Sequence, residues 1–210
     1  MLRDREIDVK INGSITSKNE EDIKKILDIA KQYDAAVNLD TYMYPASRER
    51  NKPFDEQSRM NPKDAAMAKV LIYKYQMGDI AFEEYRRAII NTIEQYIPEN
   101  YGYERHISCL AGNCSFTINW QGMIRPCVMQ SMPQVNVFDK GFLQGWETIS
   151  NETKKILINE ACVSCRYRPI CNTCAAAALL ETGNYDGIPE YICEYTKEFY
   201  RIMKEGARIC

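Results

Sequence analysis

The sequence has no apolar run long enough to cross a membrane and no excess of charge of either sign. A membrane-spanning helix needs about 20 predominantly apolar residues in a row, and no segment approaches that length. Lys and Arg number 27 against 29 Asp and Glu, so nothing favours a polyanion such as nucleic acid as a partner. The first residues are mostly charged and no apolar stretch follows them, which argues against a signal peptide. We expect a cytoplasmic protein that binds neither membrane nor nucleic acid.

Cysteine is absent from residues 1–108, whereas all nine cysteines lie within 109–210. Disulfides are rare in a reducing cytoplasm, so metal binding is the first explanation to consider for so many thiols. The single histidine, His106, lies just before the first cysteine, and we expect a surface or packing role for it. The uneven distribution predicts two domains of different chemistry, residues 1–100 and residues 101–210.

The first part of the chain predicts a strand, a helix and a second strand. Residues 7–12 alternate apolar and polar, and residues 35–42 also have strand character. Between them, apolar residues recur at helical spacing over 19–33, and Ser17 with Glu20 fits a capping box. The short links predict a βαβ unit with parallel strands.

The remainder predicts helices around a small hairpin. Five further segments have helical character: residues 62–76, 80–96, 141–158, 175–180 and 194–204. Residues 115–120 alternate like a strand, and Gln121-Gly122 is a hairpin signal before a returning strand at 123–126. We expect an α+β fold: an incomplete parallel α/β layer with flanking helices, then a cysteine-rich domain with a β-hairpin and short helices.

The cysteines are spaced to hold a metal cofactor. Four residues separate Cys109 from Cys114, and twelve separate Cys114 from Cys127. After a gap of 34 residues, spacings of two, five, two and 18 residues separate Cys162, Cys165, Cys171, Cys174 and Cys193. Short loops let several thiolates converge on one inorganic core, and iron–sulfur clusters commonly take four thiolates each. Eight cysteines therefore fit two [4Fe–4S] clusters.

Zinc is the main alternative for the same array. The pairs Cys162/Cys165 and Cys171/Cys174 have the spacing of a four-thiolate zinc ribbon or knuckle. However, five residues between the pairs are few for a ribbon, and four other cysteines would stay unexplained. Disulfides or plain core cysteines are a third alternative. Cys210 lies outside the array, and we expect it to be a free terminal thiol.

Several segments resemble the SPASM domain of radical SAM enzymes. The segments that resemble its opening are Cys109-Leu-Ala-Gly112, Phe116-Thr-Ile118 and Gly122-Met-Ile-Arg-Pro126-Cys127. The segments that resemble its second half are Cys162-Val-Ser-Cys165 and Cys171-Asn-Thr-Cys174 with Cys193, and Phe138 to Trp146 resembles the stretch between the halves. Upstream, residues 9–16 with Glu20-Glu21, and residues 37–45, resemble the last two βα units of the radical SAM partial (β/α) barrel.

The resemblance implies two auxiliary [4Fe–4S] clusters whose ligands interleave along the chain. The first would be held by Cys109, Cys114, Cys127 and Cys174, and the second by Cys162, Cys165, Cys171 and Cys193. Radical SAM enzymes hold their catalytic cluster in a Cys-x3-Cys-x2-Cys loop, and the sequence has no such spacing. The resemblance therefore implies the C-terminal portion of a longer enzyme. S-adenosylmethionine would bind only in the full-length parent, and this chain alone is not expected to be active.

The resemblance also implies a substrate class and a partner. SPASM-bearing enzymes commonly modify a peptide or protein, as in ribosomal peptide maturation or sulfatase-type maturation, and draw electrons from a reductant such as flavodoxin or ferredoxin. Residues 41–45 and Arg48 lie where family members place residues near the cofactor or substrate, a plain βα loop being the alternative. Two other functions stay open: a non-catalytic electron-transfer or peptide-docking iron–sulfur module, and a zinc-binding interaction domain.

Overall fold

The computed structural model describes residues 5, 7–41, 59–100, 104–107 and 109–206. These divide into two compact units. The first takes in the described parts of 1–43, 55–96 and 191–210, and the second those of 97–190. Both helices and strands are present, which is compatible with the expected α+β class. None of the described helices has the length and apolar character needed to cross a membrane.

The first unit contains the predicted βαβ arrangement. Strand β1 (Lys10–Ser14) and strand β2 (Ala36–Asp40) pair in parallel, and helix α1 (Ile23–Gln32) connects them. The predicted capping box is wrong. A short 3₁₀ turn at Glu20–Asp22 precedes α1, and neither this turn nor α1 has a side-chain cap hydrogen bond at its start. Asn19 Oδ1 instead accepts a hydrogen bond from Thr16 N at 2.7 Å, which closes the turn before the helix.

The long helix α2 (Pro62–Glu94) is interrupted at Gly78, which has a φ of 75° and a ψ of 168°. The break falls between the two predicted helices, so both are confirmed. Pro62 occupies the first turn as predicted, and Asn61 Oδ1 caps it by accepting from Lys63 N and Asp64 N, each at 3.0 Å. Glycine suits the break because other residues rarely adopt a positive φ.

An apolar core lies within the first unit. Its buried members come from β2, α1, α2 and the connecting segments: Ile15, Ile23, Leu27, Leu39, Met60, Ala65, Ala68 and Ile72. Helix α7 (Glu190–Glu205) packs Tyr191 and Tyr195 against this core. Tyr191 Oη also donates to the carbonyl of Met60 at 2.8 Å. The predicted last helix is confirmed, although it begins at Glu190 rather than at residue 194.

The second unit contains the predicted hairpin. Strands β3 (Thr117–Ile118) and β4 (Met123–Arg125) are antiparallel, and a third strand that the sequence did not indicate, β5 (Val135–Asn136), pairs with β4. Helices α3 (Val137–Lys140) and α4 (Phe142–Thr153) follow. A methyl carbon at Gly145 of α4 would lie 3.2 Å from Ile124 Cγ2, so α4 packs closely on β4.

Short elements carry the remaining cysteines of the second unit. They are α5 (Glu160–Val163), a 3₁₀ turn at Arg168–Ile170 and α6 (Ala175–Thr182). The helix predicted over 141–158 ends at Thr153. Beyond it, Ile158 N donates to Arg105 O at 2.7 Å and Arg105 Nε donates to Ile158 O at 3.1 Å, so this segment pairs with residues 105–107 instead of continuing the helix.

Candidate metal centre

The structure describes eight of the nine cysteines, and none of the eight forms a disulfide. Cys109 and Cys114 are exposed, and the other six are partly buried: Cys127, Cys162, Cys165, Cys171, Cys174 and Cys193. Cys210 lies outside the described residues, as do residues 42–45 and Arg48, which the sequence places near a cofactor or substrate. None of the eight thiols of the predicted array is therefore consumed by a disulfide.

The loop between Cys109 and Cys114 is held by backbone hydrogen bonds. The N–H groups of Asn113, Cys114 and Ser115 all donate to the carbonyl of Leu110, at 3.0, 3.1 and 3.1 Å. Gly112 has a φ of +68°, and a methyl carbon there would come within 2.5 Å of Thr153 Oγ1. The loop thus packs its backbone directly against the last turn of α4, and only glycine fits that approach.

Cys174 is close to Cys127 and Cys109. It directly precedes α6, and burial raises the pKa of its thiol. The backbone N–H groups of Ala177 and Ala176 lower that pKa, and the thiols of Cys127 and Cys109 raise it. The Cys174 side chain makes no cap hydrogen bond to α6. The thiols of Cys127 and Cys109 thus lie within electrostatic range of Cys174. We call the four cysteines that the resemblance assigns to one cluster, Cys109, Cys114, Cys127 and Cys174, the first cysteine group.

Cys162 is close to Cys171 and Cys165. Burial raises the pKa of its thiol, the thiols of Cys171 and Cys165 raise it further, and the guanidinium of Arg168 lowers it. Thr173 Oγ1 donates to Cys171 Sγ at 3.4 Å. We call Cys162, Cys165 and Cys171 the second cysteine group.

A 3₁₀ turn folds the loop of the second cysteine group. Arg168 N donates to Cys165 O at 2.9 Å, and Cys171 N donates to Arg168 O at 3.3 Å. Arg168 itself is 7% exposed, so a buried cation accompanies these thiols. Cys193, the fourth ligand predicted for this group, lies on α7, which belongs from Tyr191 onward to the first unit, and its role stays a prediction.

The donor set suits iron–sulfur clusters or zinc by its chemistry. Both iron and zinc bind thiolate sulfur, and the thiols within electrostatic range of Cys174 or of Cys162 belong in each case to one of the sets that the resemblance implies. Among the described residues, however, no three His, Cys, Asp or Glu side chains already stand close enough to hold a metal ion. His106 is 54% exposed at its side chain and lies 4.0 Å from Glu104, in line with the expected surface role. Ligation by all eight cysteines stays a prediction.

Two buried polar residues near Cys127 escaped the sequence analysis. Arg125 is 4% exposed and Gln130 is 2% exposed. Within the described part of the chain, Arg125 Nε and Nη2 and Gln130 Nε2 have no hydrogen-bond partner. The sequence analysis named Arg125 only as part of a segment that resembles the SPASM domain. The feature that could have singled it out is a charged residue in a short strand that ends two residues before a cysteine.

A shallow groove lies beside the same region. Its volume is about 580 Å³, and its lining includes Arg105, Met132, Lys155, Tyr185 and Asp186. Tyr185 Oη donates to the carbonyl of Met132 at 2.8 Å, and the pKa of this phenol is raised by burial and by the nearby Cys127 thiol, while Gln130 lowers it. The groove therefore reaches the surroundings of the first cysteine group.

The sequence is similar to the AdoMet-dependent heme synthase of Methanosarcina barkeri (strain Fusaro / DSM 804). The two are 24% identical over 200 residues, which cover 88% of this chain and 56% of the relative. The chain thus spans about half the length of the curated relative it matches. No protein-family model matches the sequence.

This similarity supports a radical SAM-related protein. In that family, iron–sulfur clusters and S-adenosylmethionine are the cofactors.

Proposed function

We propose that this chain is the auxiliary-cluster portion of a radical SAM enzyme, holding two [4Fe–4S] clusters through its eight clustered cysteines. The observation that carries the proposal is the grouping of the thiols. Cys174 is influenced by Cys127 and Cys109, and Cys162 by Cys171 and Cys165, although these residues interleave along the sequence. A single four-cysteine zinc knuckle built from 162–174 would instead require Cys174 beside Cys162.

Each cluster would supply redox capacity near the substrate. The residues of this chain would contribute the thiolates, the Thr173 hydroxyl toward Cys171 and the buried cations Arg125 and Arg168. Reduction potentials of such clusters depend on net charge, on hydrogen bonds to the sulfurs and on solvent exposure. The charges and hydrogen bonds around both groups therefore suit clusters whose reduction potentials the protein sets, rather than cysteines that only pack in the core.

We propose a peptide or protein as the substrate of the parent enzyme. The second unit exposes large apolar side chains around its hairpin: Phe116, Ile118, Trp120, Phe138, Phe142 and Leu143. Trp120 is 86% exposed and Phe138 is 80% exposed. An exposed apolar surface of this kind marks an interaction site more often than a surface that contacts only solvent. A reductant such as flavodoxin or ferredoxin is the second partner proposed.

A tetrapyrrole is the second candidate substrate, favoured by the name of the relative from Methanosarcina barkeri. Arg105 and Lys155 in the groove beside Tyr185 would suit the carboxylates of such a molecule. Titrating the reconstituted chain with a porphyrin distinguishes the candidates. Saturable binding that Arg105→Met and Lys155→Met each weaken at least tenfold would favour the tetrapyrrole, and absence of saturable binding would favour the peptide.

Metal analysis tests the cluster assignment itself. After anaerobic reconstitution we expect about eight iron atoms and about eight sulfides per chain, with a charge-transfer band in the visible spectrum. The paired replacement of Cys109 and Cys127 by serine, or of Cys162 and Cys165, should each remove about half of the iron. One or two zinc atoms, with no charge-transfer band, would instead establish the zinc-binding interaction domain. Replacement of Cys210 by serine is the matched control and should leave the iron content unchanged.

A further inference from the structure

Arg125 is a buried cation that lacks acceptors for two of its nitrogens. Its residue surface is 4% exposed, and Nε and Nη2 have no hydrogen-bond partner within the described residues. Buried N–H groups of a guanidinium without acceptors are costly, because they lose their hydration and gain no hydrogen bond in return. A guanidinium in this position therefore indicates an anionic group that the described side chains do not supply.

The hairpin places Arg125 at the end that connects to two cysteines. Arg125 is the last residue of β4 and is in register with Thr117 at the start of β3. Cys114 precedes Thr117 by three residues, and Cys127 follows Arg125 by two. Because the strands are antiparallel, the segments that carry these two thiols leave the hairpin at the same end. Arg125 is thus close along the chain to half of the first cysteine group.

The side chain of Arg125 leaves the sheet on the face away from α4. The preceding residue, Ile124, is fully buried and faces Gly145 of α4. Side chains alternate between the two faces of a strand, so Arg125 projects from the opposite face. The guanidinium therefore does not serve the packing of the helix on the sheet.

Gln130 is a second buried donor in the same neighbourhood. Its residue surface is 2% exposed, and its Nε2 makes no hydrogen bond of ordinary geometry within the described part of the structure. It lies three residues beyond Cys127 and near enough to Tyr185 to lower the pKa of that phenol, which the Cys127 thiol also influences. Two side chains that flank Cys127 in sequence thus both bury N–H groups that lack an acceptor at ordinary hydrogen-bond geometry.

We propose that Arg125 and Gln130 are hydrogen-bond donors to the anionic cluster held by the first cysteine group, and that Arg125 makes this cluster easier to reduce. The proposal rests on the proposed function, because it requires that a cluster forms there. An iron–sulfur cluster with four thiolate ligands carries net negative charge, and each added electron increases it. A buried cation and N–H donors at its sulfurs stabilise the reduced state more than the oxidised state and raise the reduction potential.

The test is a spectroscopic redox titration of the reconstituted full chain and its variants. Arg125→Met, which removes charge and donors, should shift one of the two potentials to a more negative value. Arg125→Lys, which keeps the charge but loses the planar donors, should give a smaller shift in the same direction. Gln130→Leu should also give a smaller negative shift. The paired serine replacement of Cys162 and Cys165 identifies the affected signal as that of the first cysteine group.

Arg166→Met is the matched control. Arg166 also lies next to a cysteine, Cys165, but it is exposed and stacks on Tyr167 with 5.5 Å between the guanidinium carbon and the ring centroid. Water screens an exposed charge, so both potentials should stay at their wild-type values in this variant. Iron content measured on every variant ensures that potentials are compared only between loaded proteins.

The outcomes separate this inference from the proposed function. A wild-type chain that binds no iron–sulfur cluster would overturn both. A wild-type chain with two clusters, whose potentials are unchanged in Arg125→Lys and Gln130→Leu, would overturn the inference alone. If Arg125→Met loses the iron of the first cysteine group but keeps that of the second, the inference is supported, because the buried cation is then needed to hold the anion. Loss of both clusters in Arg125→Met, with unshifted potentials in Arg125→Lys, would assign Arg125 a purely structural role.

Discussion

The two units of the chain differ in what holds them together. In the first unit, strands of five residues and a broken helix of 33 residues bury an apolar core. In the second, the described strands have two or three residues and the described helices have at most 12. Strands and helices this short gain little from their own hydrogen bonds. The second unit also contains seven of the eight described cysteines.

This difference indicates that burial of apolar side chains stabilises the first unit, and that metal clusters bound by cysteines complete the stability of the second. An apolar cluster around Ile156, Ile158 and Ala175 packs against Cys162, so one thiol is part of the apolar packing itself. The same unit buries the cation Arg125, and two of its nitrogens have no hydrogen-bond partner among the described residues, which is costly. A bound cluster would join loops that are distant in sequence and would compensate this charge. The comparison between the units can therefore be tested by removing the metal.

Metal removal should have the largest effect, and it should be confined to the second unit. Metal binding supplies folding free energy to small domains, so we expect chelation or oxidation of the clusters to unfold 109–190. Amide hydrogen exchange there should accelerate about 100-fold or more, a loss of about 3 kcal/mol, whereas residues 7–41 and 62–94 should keep their protection.

The measurement is hydrogen exchange followed by mass spectrometry of peptides from each unit, before and after chelation. The chain reconstituted with clusters and then left untreated is the control. Equal acceleration in both units would mean that the first unit also depends on the clusters. Unchanged exchange in 109–190 would mean that its apolar packing suffices without metal.

Replacing Gly112 should have the next largest effect, because a side chain there meets both strain and a clash. A φ of +68° is unfavourable for alanine, and its methyl carbon would come within 2.5 Å of Thr153 Oγ1. Strain of about 1–3 kcal/mol and overpacking of about 1–3 kcal/mol should add in Gly112→Ala. Thermal unfolding of the loaded chain, with iron content after identical reconstitution, measures the loss.

Gly183→Ala is the matched control for that substitution. Gly183 ends α6 with a φ of +79°, and nothing lies within 4 Å of a methyl carbon there. This variant should therefore lose only the strain energy, about 1 kcal/mol, and keep its iron. Thr153→Ala should restore part of the stability of Gly112→Ala. If the two glycine variants are equally stable, the loop between Cys109 and Cys114 does not depend on its contact with α4.

The sequence predicts those parts of the fold that local patterns determine. The βαβ unit and the hairpin at Gly122 follow from alternation, helical spacing and a turn signal, and the structure confirms them. The end of α4 at Thr153 and the strand β5 could not be predicted, because both depend on pairing with distant segments. A pattern of apolar residues alone allowed the helix to continue to residue 158.

The site divides in the same way. The cysteine array can be read from its spacing, whereas its division into two groups comes from the resemblance and stays a prediction. The structure places Cys127 and Cys109 within electrostatic range of Cys174, and Cys171 and Cys165 within electrostatic range of Cys162. Arg125 and Gln130 could not be predicted as buried, since a single Arg or Gln in a short segment usually indicates a solvent-facing position. Only the packing around the hairpin reveals that these donors are enclosed.

The smallest expected effect is a pH dependence confined to the first unit. Glu83 on α2 accepts hydrogen bonds from Arg86, through Nε and Nη2 at 2.8 Å each, and from Arg87 at 3.3 Å. These contacts lower the pKa of Glu83 from 4.5 to about 2 against the opposing effect of desolvation, the hydrogen bond to Arg86 being the largest cause. Arg86 Nη1 also donates to Met203 O at 2.7 Å, which links α2 to α7.

The direction of the pH effect follows from the lowered pKa. Because the carboxylate is easier to ionise in the folded state, its contribution to stability is complete well above pH 4.5 and is lost as the pH falls through about 2. Thermal unfolding should therefore find Glu83→Gln less stable than the wild type at pH 7, by a margin that shrinks at pH 3. The exposed neighbour Glu84→Gln is the control and should match the wild type at both pH values. A margin that stays constant between pH 7 and pH 3 would show that packing by the Glu83 side chain, rather than its charge, stabilises the contact between α2 and α7, since only the charged form responds to pH.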